Sequence, residues 1–120
     1  VISTGGFSAK DAYRAVQEKM AENVDFTALF AIADSMAIGA MRALMDAGRR
    51  IPEDCSVIAI DGLELSAYIE PPLTTLCQPM EHMGRRSVEI LLDMVEHRGG
   101  PIRETAHTTL RTGESVRDIS

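Results

Sequence analysis

Two short runs of apolar residues, with no polar residue alternating through them, limit the folds open to this sequence. They read FTALFAIA over Phe26–Ala33 and SVIAI over Ser56–Ile60. Runs of this length suit strands that are buried on both faces, which is typical of a parallel sheet. Between them the sequence predicts a helix over Ser35–Ala47, with Asp34 as its cap and Gly48 just past its end. This order predicts an α/β fold with a parallel sheet flanked by helices.

Two further helices are predicted on either side of this core. The first covers about Ser8–Glu22, where Ser8 and Asp11 stand at capping-box spacing. The second begins with Pro79 at its first position and ends near Arg98. The apolar residues expected to face inward on this second helix are Met83, Val88, Leu91, Met94 and Val95. Short strands are predicted at Leu73–Cys77 and Thr105–Arg111.

The helix predicted over Ser35–Ala47 is apolar on more than one side. Ile38 and Met45 extend its apolar surface past the stripe of roughly 100° that is usual for a helix lying on a core. Its second apolar side is therefore expected to pack against another helix of the same subunit or against a second subunit. The face expected on the sheet consists of Ala37, Ala40, Met41 and Leu44. Only Ser35, Gly39, Arg42, Asp46 and Arg49 are left to face water.

The charge balance argues against direct binding to nucleic acid. The 120 residues carry 12 basic and 18 acidic side chains, a net charge of -6. Affinity for nucleic acid depends on neutralising phosphates with Lys and Arg, so this segment alone is not expected to bind DNA or RNA. No window approaches the roughly 18 consecutive apolar residues of a membrane span, and no signal peptide is visible. Since the sequence opens at Val1, we expect it to be a fragment.

The two cysteines are predicted to be buried thiols in a reducing compartment, with a disulfide as the alternative. Cys55 and Cys77 lie 22 residues apart and have no neighbouring Cys or His at the spacing of a metal site. Apolar residues flank each of them on one side.

Motifs for catalysis are not found. The sequence has no phosphate-binding glycine loop, no dinucleotide fingerprint and no nucleophile elbow. The three histidines, at positions 82, 97 and 107, lack the i, i+4 spacing of helical metal ligands. Asp34 and Asp61 both close apolar runs and could meet in one crevice, but capping accounts for Asp34 and no nucleophile accompanies the pair. We therefore expect a protein that is not an enzyme and has no cofactor or metal.

Four motifs follow one another in order along the chain. They are strand-Asp-x-Met-Ala-x-Gly, Gly-x-x-Ile-Pro-Glu-Asp, strand-Asp, and Pro-Pro-Leu-Thr-Thr-x-x-Gln-Pro. In full they read FAIADSMAIGAMRALMDAGRRIPEDCSVIAIDG and YIEPPLTTLCQPMEHMG. From about Phe7 to Arg98 the chain resembles the effector-binding domain of lactose-repressor (LacI)-type bacterial transcription regulators.

The resemblance implies a periplasmic-binding-protein-like fold, with a small-molecule effector between two α/β subdomains. Residues 1–78 would belong to the carboxyl-terminal subdomain. Residues 79–104 would cross to the amino-terminal subdomain, and residues 105–120 would form a return strand and tail. Most of the amino-terminal subdomain and the operator-binding helix-turn-helix region would lie outside this chain.

The same resemblance implies an effector site. Asp61 matches a carboxylate that accepts hydrogen bonds from sugar hydroxyls or a base edge, although its alternative role is to cap a turn. Phe7 matches an aromatic ring that stacks on the ligand, with ordinary packing as the alternative. Gln78 matches a glutamine lining the cleft, or it caps the helix that Pro79 opens. Ala33 stands where the family often has Asn, which weakens the expectation of a sugar.

Members of the family also dimerise. They do so through the helix that corresponds to Ser35–Ala47, which is apolar on more than one side here, and through the loop before Pro71. The resemblance therefore favours an interface between subunits, formed by Ile38, Met41, Met45, Tyr68 and Ile69. The function expected is that of a cytoplasmic, homodimeric, repressor-type regulator that binds operator DNA through the missing region. The alternatives are a secreted sugar receptor of a transporter, which shares the fold, and an enzyme.

Overall fold

The strands and helices follow the alternating order that the apolar runs predict. A computed structural model describes residues 1–100 and 102–120. The elements are α1 (Ala9–Ala21), β1 (Ala28–Phe30), α2 (Asp34–Asp46), β2 (Ser56–Asp61), a short 3-10 helix (Glu64–Ala67), β3 (Thr74–Cys77), α3 (Met80–Val95) and β4 (Thr109–Arg111). The strands form one sheet in the order β1-β2-β3-β4, in which β2 is parallel to both β1 and β3. The α/β class is confirmed.

The chain divides into two compact units. The first consists of residues 1–77 and 110–120, and the second of residues 78–109. None of the helices within the described residues is long and apolar enough to cross a membrane.

Helix α1 begins as its sequence predicts. The Ser8 hydroxyl accepts a hydrogen bond from the Asp11 amide at 3.1 Å, and the Asp11 carboxylate accepts one from the Ser8 amide at 3.3 Å. These bonds satisfy amides that the first helical turn leaves unpaired. Hydrogen bonds from the Ser8 side chain and backbone also hold the pKa of Asp11 below its ordinary value. The helix then buries Ala12, Ala15 and Val16.

Helix α2 lies on the sheet through the predicted face. Ala37, Ala40, Met41 and Leu44 are all buried, and so are Val57 and Ala59 on β2. These side chains belong to one hydrophobic core that also includes Cys55. Both cysteines are free thiols: Cys55 is buried, which raises the pKa of its thiol, and Cys77 is half-buried.

The expectation that Gly39 faces water is wrong, because α1 packs against α2 at this position. A Cβ atom placed on Gly39 would lie 1.9 Å from the Ala9 carbonyl oxygen. Gly39 is buried, and the absence of a side chain lets the two helices approach closely. A helix of the same chain therefore covers a side of α2 that was expected to face water.

The strands are less buried than predicted. Along β2, Val57 and Ala59 are buried, whereas Ile58 and Ile60 on the opposite face are half-buried. On β1, Phe30 is 57% exposed. The prediction of burial on both faces is therefore wrong for the described chain, since α2 covers one face only.

Helix α3 forms in the second unit, but its apolar face is exposed. The predicted inward residues Met83, Val88, Leu91, Met94 and Val95 are each at least 37% exposed, and none of the residues of α3 is buried. The prediction of an inward face is wrong here because the described part of this unit contains one helix and too little else to cover it. The Arg86 guanidinium binds the Glu104 carboxylate, which lowers the pKa of Glu104.

The close approach of α1 and α2 predicts the effect of Gly39→Ala in the intact protein. The added methyl group would force the helices apart, so we expect a loss of about 1–3 kcal/mol in the free energy of unfolding, measured by urea denaturation. Gly84→Ala in α3 is the control, because a Cβ there meets nothing within 4 Å. It should stabilise the helix by about 0.5–1 kcal/mol. Equal urea midpoints for Gly39→Ala and the wild type would contradict the close contact between α1 and α2 at Gly39.

Candidate functional site

The carboxyl ends of the parallel strands bring Ala33, Asp34 and Asp61 to one edge of the sheet. Asp61 is the last residue of β2, and Ala33 precedes the first turn of α2. The Asp34 amide donates a hydrogen bond to Asp61 Oδ2 at 3.3 Å. In open α/β sheets ligands bind outside the carboxyl ends of the strands, so this edge is the candidate site.

Asp61 has an unusual backbone conformation. Its φ is +140°, and that of Gly62 is +80°. A Cβ on Gly62 would lie 2.5 Å from the Cys77 sulfur, so the turn is pressed against β3 at a point where only glycine fits. A non-glycine residue in such a region costs about 1–3 kcal/mol and persists only where the surroundings hold it in place. Strain of this kind is concentrated at ligand sites and switches.

The side chain of Asp61 has the capping role that the sequence assigns to Asp34. By accepting a hydrogen bond from the Asp34 amide, it satisfies one of the amides at the start of α2. Its negative charge also lies at the positive end of the helix dipole. Asp61 is half-buried and so remains accessible from solvent.

The carboxylate of Asp34 is buried and accepts three hydrogen bonds. Asp34 is 0% exposed. Its Oδ2 accepts from the Leu63 amide at 2.8 Å and from the Ser66 hydroxyl at 2.7 Å, and its Oδ1 accepts from the Thr75 hydroxyl at 2.5 Å. A buried carboxylate is tolerated only with donors of this kind. The three bonds connect the start of α2 to the turn after β2, to the 3-10 helix and to β3.

Arg111 on β4 balances this charge. Its Nη2 lies 4.0 Å from Asp34 Oδ2 and donates to the Leu63 carbonyl oxygen at 3.0 Å and to the Ser66 hydroxyl at 2.5 Å. The Ser66 hydroxyl therefore connects the two charged groups. Arg111 Nε is buried and has no hydrogen-bond partner among the described residues.

The prediction that Asp34 caps α2 is wrong. Asp34 is the first residue of the helix, the cap is Ala33, and the Asp34 carboxylate faces the core. Ser66, Thr75 and Arg111 were not predictable as partners of Asp34, because they lie 32, 41 and 77 residues away along the chain. The signal that could have found the site is an aspartate placed between a buried strand and a helix that is apolar from its first turn.

The other predicted effector residues are dispersed. Phe7 lies just before the cap of α1 and is 74% exposed, outside the hydrophobic core. Gln78 is half-buried and is the first residue of the second unit. Ala33 is half-buried beside Asp34 and packs against the core.

An apolar cavity of about 570 Å³ lies elsewhere, along β1 and α1. Its lining includes Val16, Phe26, Phe30 and Met36, and none of the four predicted effector residues. Within residues 1–100 and 102–120, no group of three His, Cys, Asp or Glu side chains could hold a metal ion. The strand edge therefore remains the candidate site, because it combines a strained carboxylate with convergent polar groups.

The predicted interface residues differ in exposure. Met45 is 40% exposed and Tyr68 is 78% exposed, whereas Ile38 and Ile69 are half-buried. Met41 is 1% exposed and lies in the core between α2 and the sheet. Because its side chain has no surface to offer, we correct the predicted interface by removing Met41.

Comparisons with known proteins agree with this fold. The periplasmic binding protein-like domain family matches residues 1–116. The chain is 46% identical over 97 residues to the HTH-type transcriptional repressor PurR of Aliivibrio fischeri, covering 79% of this chain and 29% of that protein. It therefore belongs to the periplasmic binding protein-like domain family.

Solved structures of transcriptional regulators resemble the chain closely. A transcriptional regulator CelR–cellobiose complex superimposes with a TM-score of 0.84 at 34% identity, over 91% of this chain and 34% of that one. A lac repressor dimer bound to operator and the anti-inducer ONPF gives a TM-score of 0.85 at 30% identity, over 91% of this chain and 38% of that one. The chain is a LacI-type effector-binding domain and spans about a third of the length of these relatives.

The Asp34 network predicts a large effect of Asp34→Ala on the stability of the intact protein. The change leaves three donors, two of them buried, without their acceptor and Arg111 without its counter-charge, so we expect a loss of about 3 kcal/mol in the free energy of unfolding. Asp118→Ala, at an exposed position in the tail, should change it by no more than about 0.5 kcal/mol. Urea denaturation measures the stability of both variants. Equal midpoints for Asp34→Ala and Asp118→Ala would contradict a stabilising role for the Asp34 hydrogen bonds.

Proposed function

We propose that this chain is the effector-sensing part of a DNA-binding transcriptional regulator of repressor type. A small sugar-like or nucleobase-like molecule would bind at the carboxyl edge of the sheet. The observation that carries this proposal is the half-buried Asp61 carboxylate, held on a strained turn at the end of a parallel strand. An ionised acceptor in such a place makes strong hydrogen bonds to hydroxyl and N–H groups.

We also propose effector-binding roles for Phe7, Ala33 and Gln78. The exposed ring of Phe7 offers a face for stacking on a sugar or base. Ala33 offers only a methyl group, which suits an apolar part of the ligand. Gln78 lies in the other unit, and its part in binding rests on the family resemblance alone.

The regulator is favoured over the two alternatives. The relatives described above are a transcriptional repressor, a transcriptional regulator and a repressor bound to its operator. We therefore propose that operator DNA is bound by a helix-turn-helix region outside this acidic chain, in the cytoplasm. A secreted sugar receptor shares the fold, but none of these relatives is one. The same relatives point away from an enzyme.

The division of the chain is also part of the proposal. Residues 1–78 would form the carboxyl-terminal subdomain, residues 79–104 the crossing segment, and residues 105–120 the return strand and tail. The chain passes from one compact unit to the other between Cys77 and Gln78 and back between Thr109 and Leu110, which supports this division.

The effector proposal predicts that at least one of cellobiose, ribose and guanine binds the intact protein, measured by isothermal titration calorimetry. Asp61→Asn should weaken that binding at least tenfold, because a neutral amide accepts weaker hydrogen bonds than a carboxylate does. Glu64→Gln is the control, since Glu64 is an exposed acid three residues further on. It should bind as the wild type does.

Equal affinities for Asp61→Asn and the wild type would remove Asp61 from the site. If none of the three compounds binds, the sugar or nucleobase class proposed for the effector is wrong.

We also propose that the chain forms a homodimer through one apolar surface. This surface, called here the α2 surface, consists of Ile38, Met45, Tyr68 and Ile69. The 3-10 helix packs beside α2, which supports grouping these residues. The exposure of Met45 and Tyr68 further supports the proposal, because burial of large apolar side chains drives association between proteins.

The dimer proposal predicts that Met45→Glu converts the intact protein to a monomer, since it would bury an unpaired charge in the interface. Multi-angle light scattering would show the mass fall by half. Ala47→Glu is the control, because it places the same charge at an exposed position just past the end of α2. It should leave the mass unchanged. A dimer that persists in Met45→Glu would exclude the α2 surface as the interface.

A further inference from the structure

Asp34 contacts the turn that carries Asp61 from both sides. Its backbone amide donates to the Asp61 carboxylate at 3.3 Å, and its carboxylate accepts from the Leu63 amide at 2.8 Å. Asp61 and Leu63 flank Gly62, which is itself pressed against β3. A single residue therefore holds both ends of the turn.

The Asp34 carboxylate is itself held firmly. Thr75 on β3 donates to one of its oxygens, and Ser66 in the 3-10 helix donates to the other. Arg111 places a positive charge 4.0 Å away and donates to Ser66. With no exposed surface and donors on three sides, the side chain has little freedom to change rotamer.

The turn depends on contacts of this kind. The φ of +140° at Asp61 is rarely populated by a residue other than glycine, whereas glycine adopts the +80° of Gly62 freely. Without bonds at both ends, the peptide would relax toward ordinary values and the Asp61 carboxylate would change direction. Binding would then have to restore the original direction, and affinity would fall.

From these contacts we infer that Asp34 is a positioning residue for the effector. It does not touch the ligand, and it preorganises the turn so that Asp61 presents its carboxylate at the strand edge. This inference rests on the proposed function, in which Asp61 binds the effector.

The test removes one hydrogen bond and leaves the buried charge in place. Asp34→Ala is unsuitable because it also destabilises the domain. Leu63 has a φ of -56°, which proline adopts readily, so Leu63→Pro deletes the amide that donates to Asp34 with little strain at that residue. Leu63→Ala is the matched control, since it removes the same exposed side chain and keeps the amide.

Two measurements are made on the intact protein. In titrations with cellobiose, ribose and guanine, Leu63→Pro should bind whichever compound the wild type binds at least tenfold more weakly, and Leu63→Ala should bind it as the wild type does. In hydrogen exchange, the Ser66 and Tyr68 amides, which bond to Leu63 and Leu65 carbonyl oxygens, should exchange at least tenfold faster in Leu63→Pro than in Leu63→Ala.

The outcomes separate this inference from the proposed function. If Asp61→Asn loses binding and Leu63→Pro binds as Leu63→Ala does, the positioning role is overturned and the effector site stands. If none of the compounds binds, or if Asp61→Asn binds normally, the effector site fails as proposed. The exchange rates then decide whether Asp34 holds the turn, and equal rates in the two Leu63 variants overturn that role.

A last measurement covers the case in which Leu63→Pro does not fold. In the wild type, the Leu63 amide should exchange at least a hundredfold more slowly than in an unstructured peptide, although its side chain is exposed. Exchange at the unstructured rate would overturn the inference without any variant.

Discussion

The buried carboxylate of Asp34 is the interaction on which the rest of this domain depends. Asp34 is the first residue of α2, and its carboxylate accepts hydrogen bonds from the turn after β2, from the 3-10 helix and from β3. Because a buried charge without partners is very unfavourable, these elements must meet at this point whenever the domain is folded. Arg111 brings the last strand to the same place. One group thus fixes the carboxyl edge of the sheet, where the candidate site lies.

The parallel arrangement explains why polar groups gather at this edge. Parallel strands all end on the same side, so residues that follow them in the sequence meet in space. Asp61 ends β2, Asp34 follows β1, and Thr75 lies on β3, which pairs with β2 in register. The site therefore combines a strained, half-buried carboxylate with a rigid support behind it. Such a combination suits recognition of a small polar ligand, which gains affinity when the protein group is held in place beforehand.

Much of the fold was predictable because it depends on local patterns. The Ser8–Asp11 capping box and the four apolar residues of α2 that face the sheet were predicted from spacing alone, and each is confirmed. The predictions that failed depended on what lies across from a residue. Gly39 was expected in water but contacts α1, and the apolar face of α3 was expected inward but is exposed. A helical pattern shows that a face is apolar, and it does not show which surface covers it.

For the candidate site too, local patterns were predictable and contacts between distant residues were not. The alternation of apolar runs and helices was enough to establish the α/β class, and the ordered motifs were enough to indicate a LacI-type effector domain, since both depend on residues close together along the chain. The partners of Asp34 could not be read in this way, because they lie 29 to 77 residues from it. Sequence reasoning made Asp34 the helix cap, whereas in the folded chain Asp61 takes that role. Burial explains why Asp61 has the capping role that was expected of Asp34. Packing encloses the start of α2, so the Asp34 carboxylate must accept hydrogen bonds from buried neighbours. The half-buried Asp61 then accepts the hydrogen bond from the helix amide.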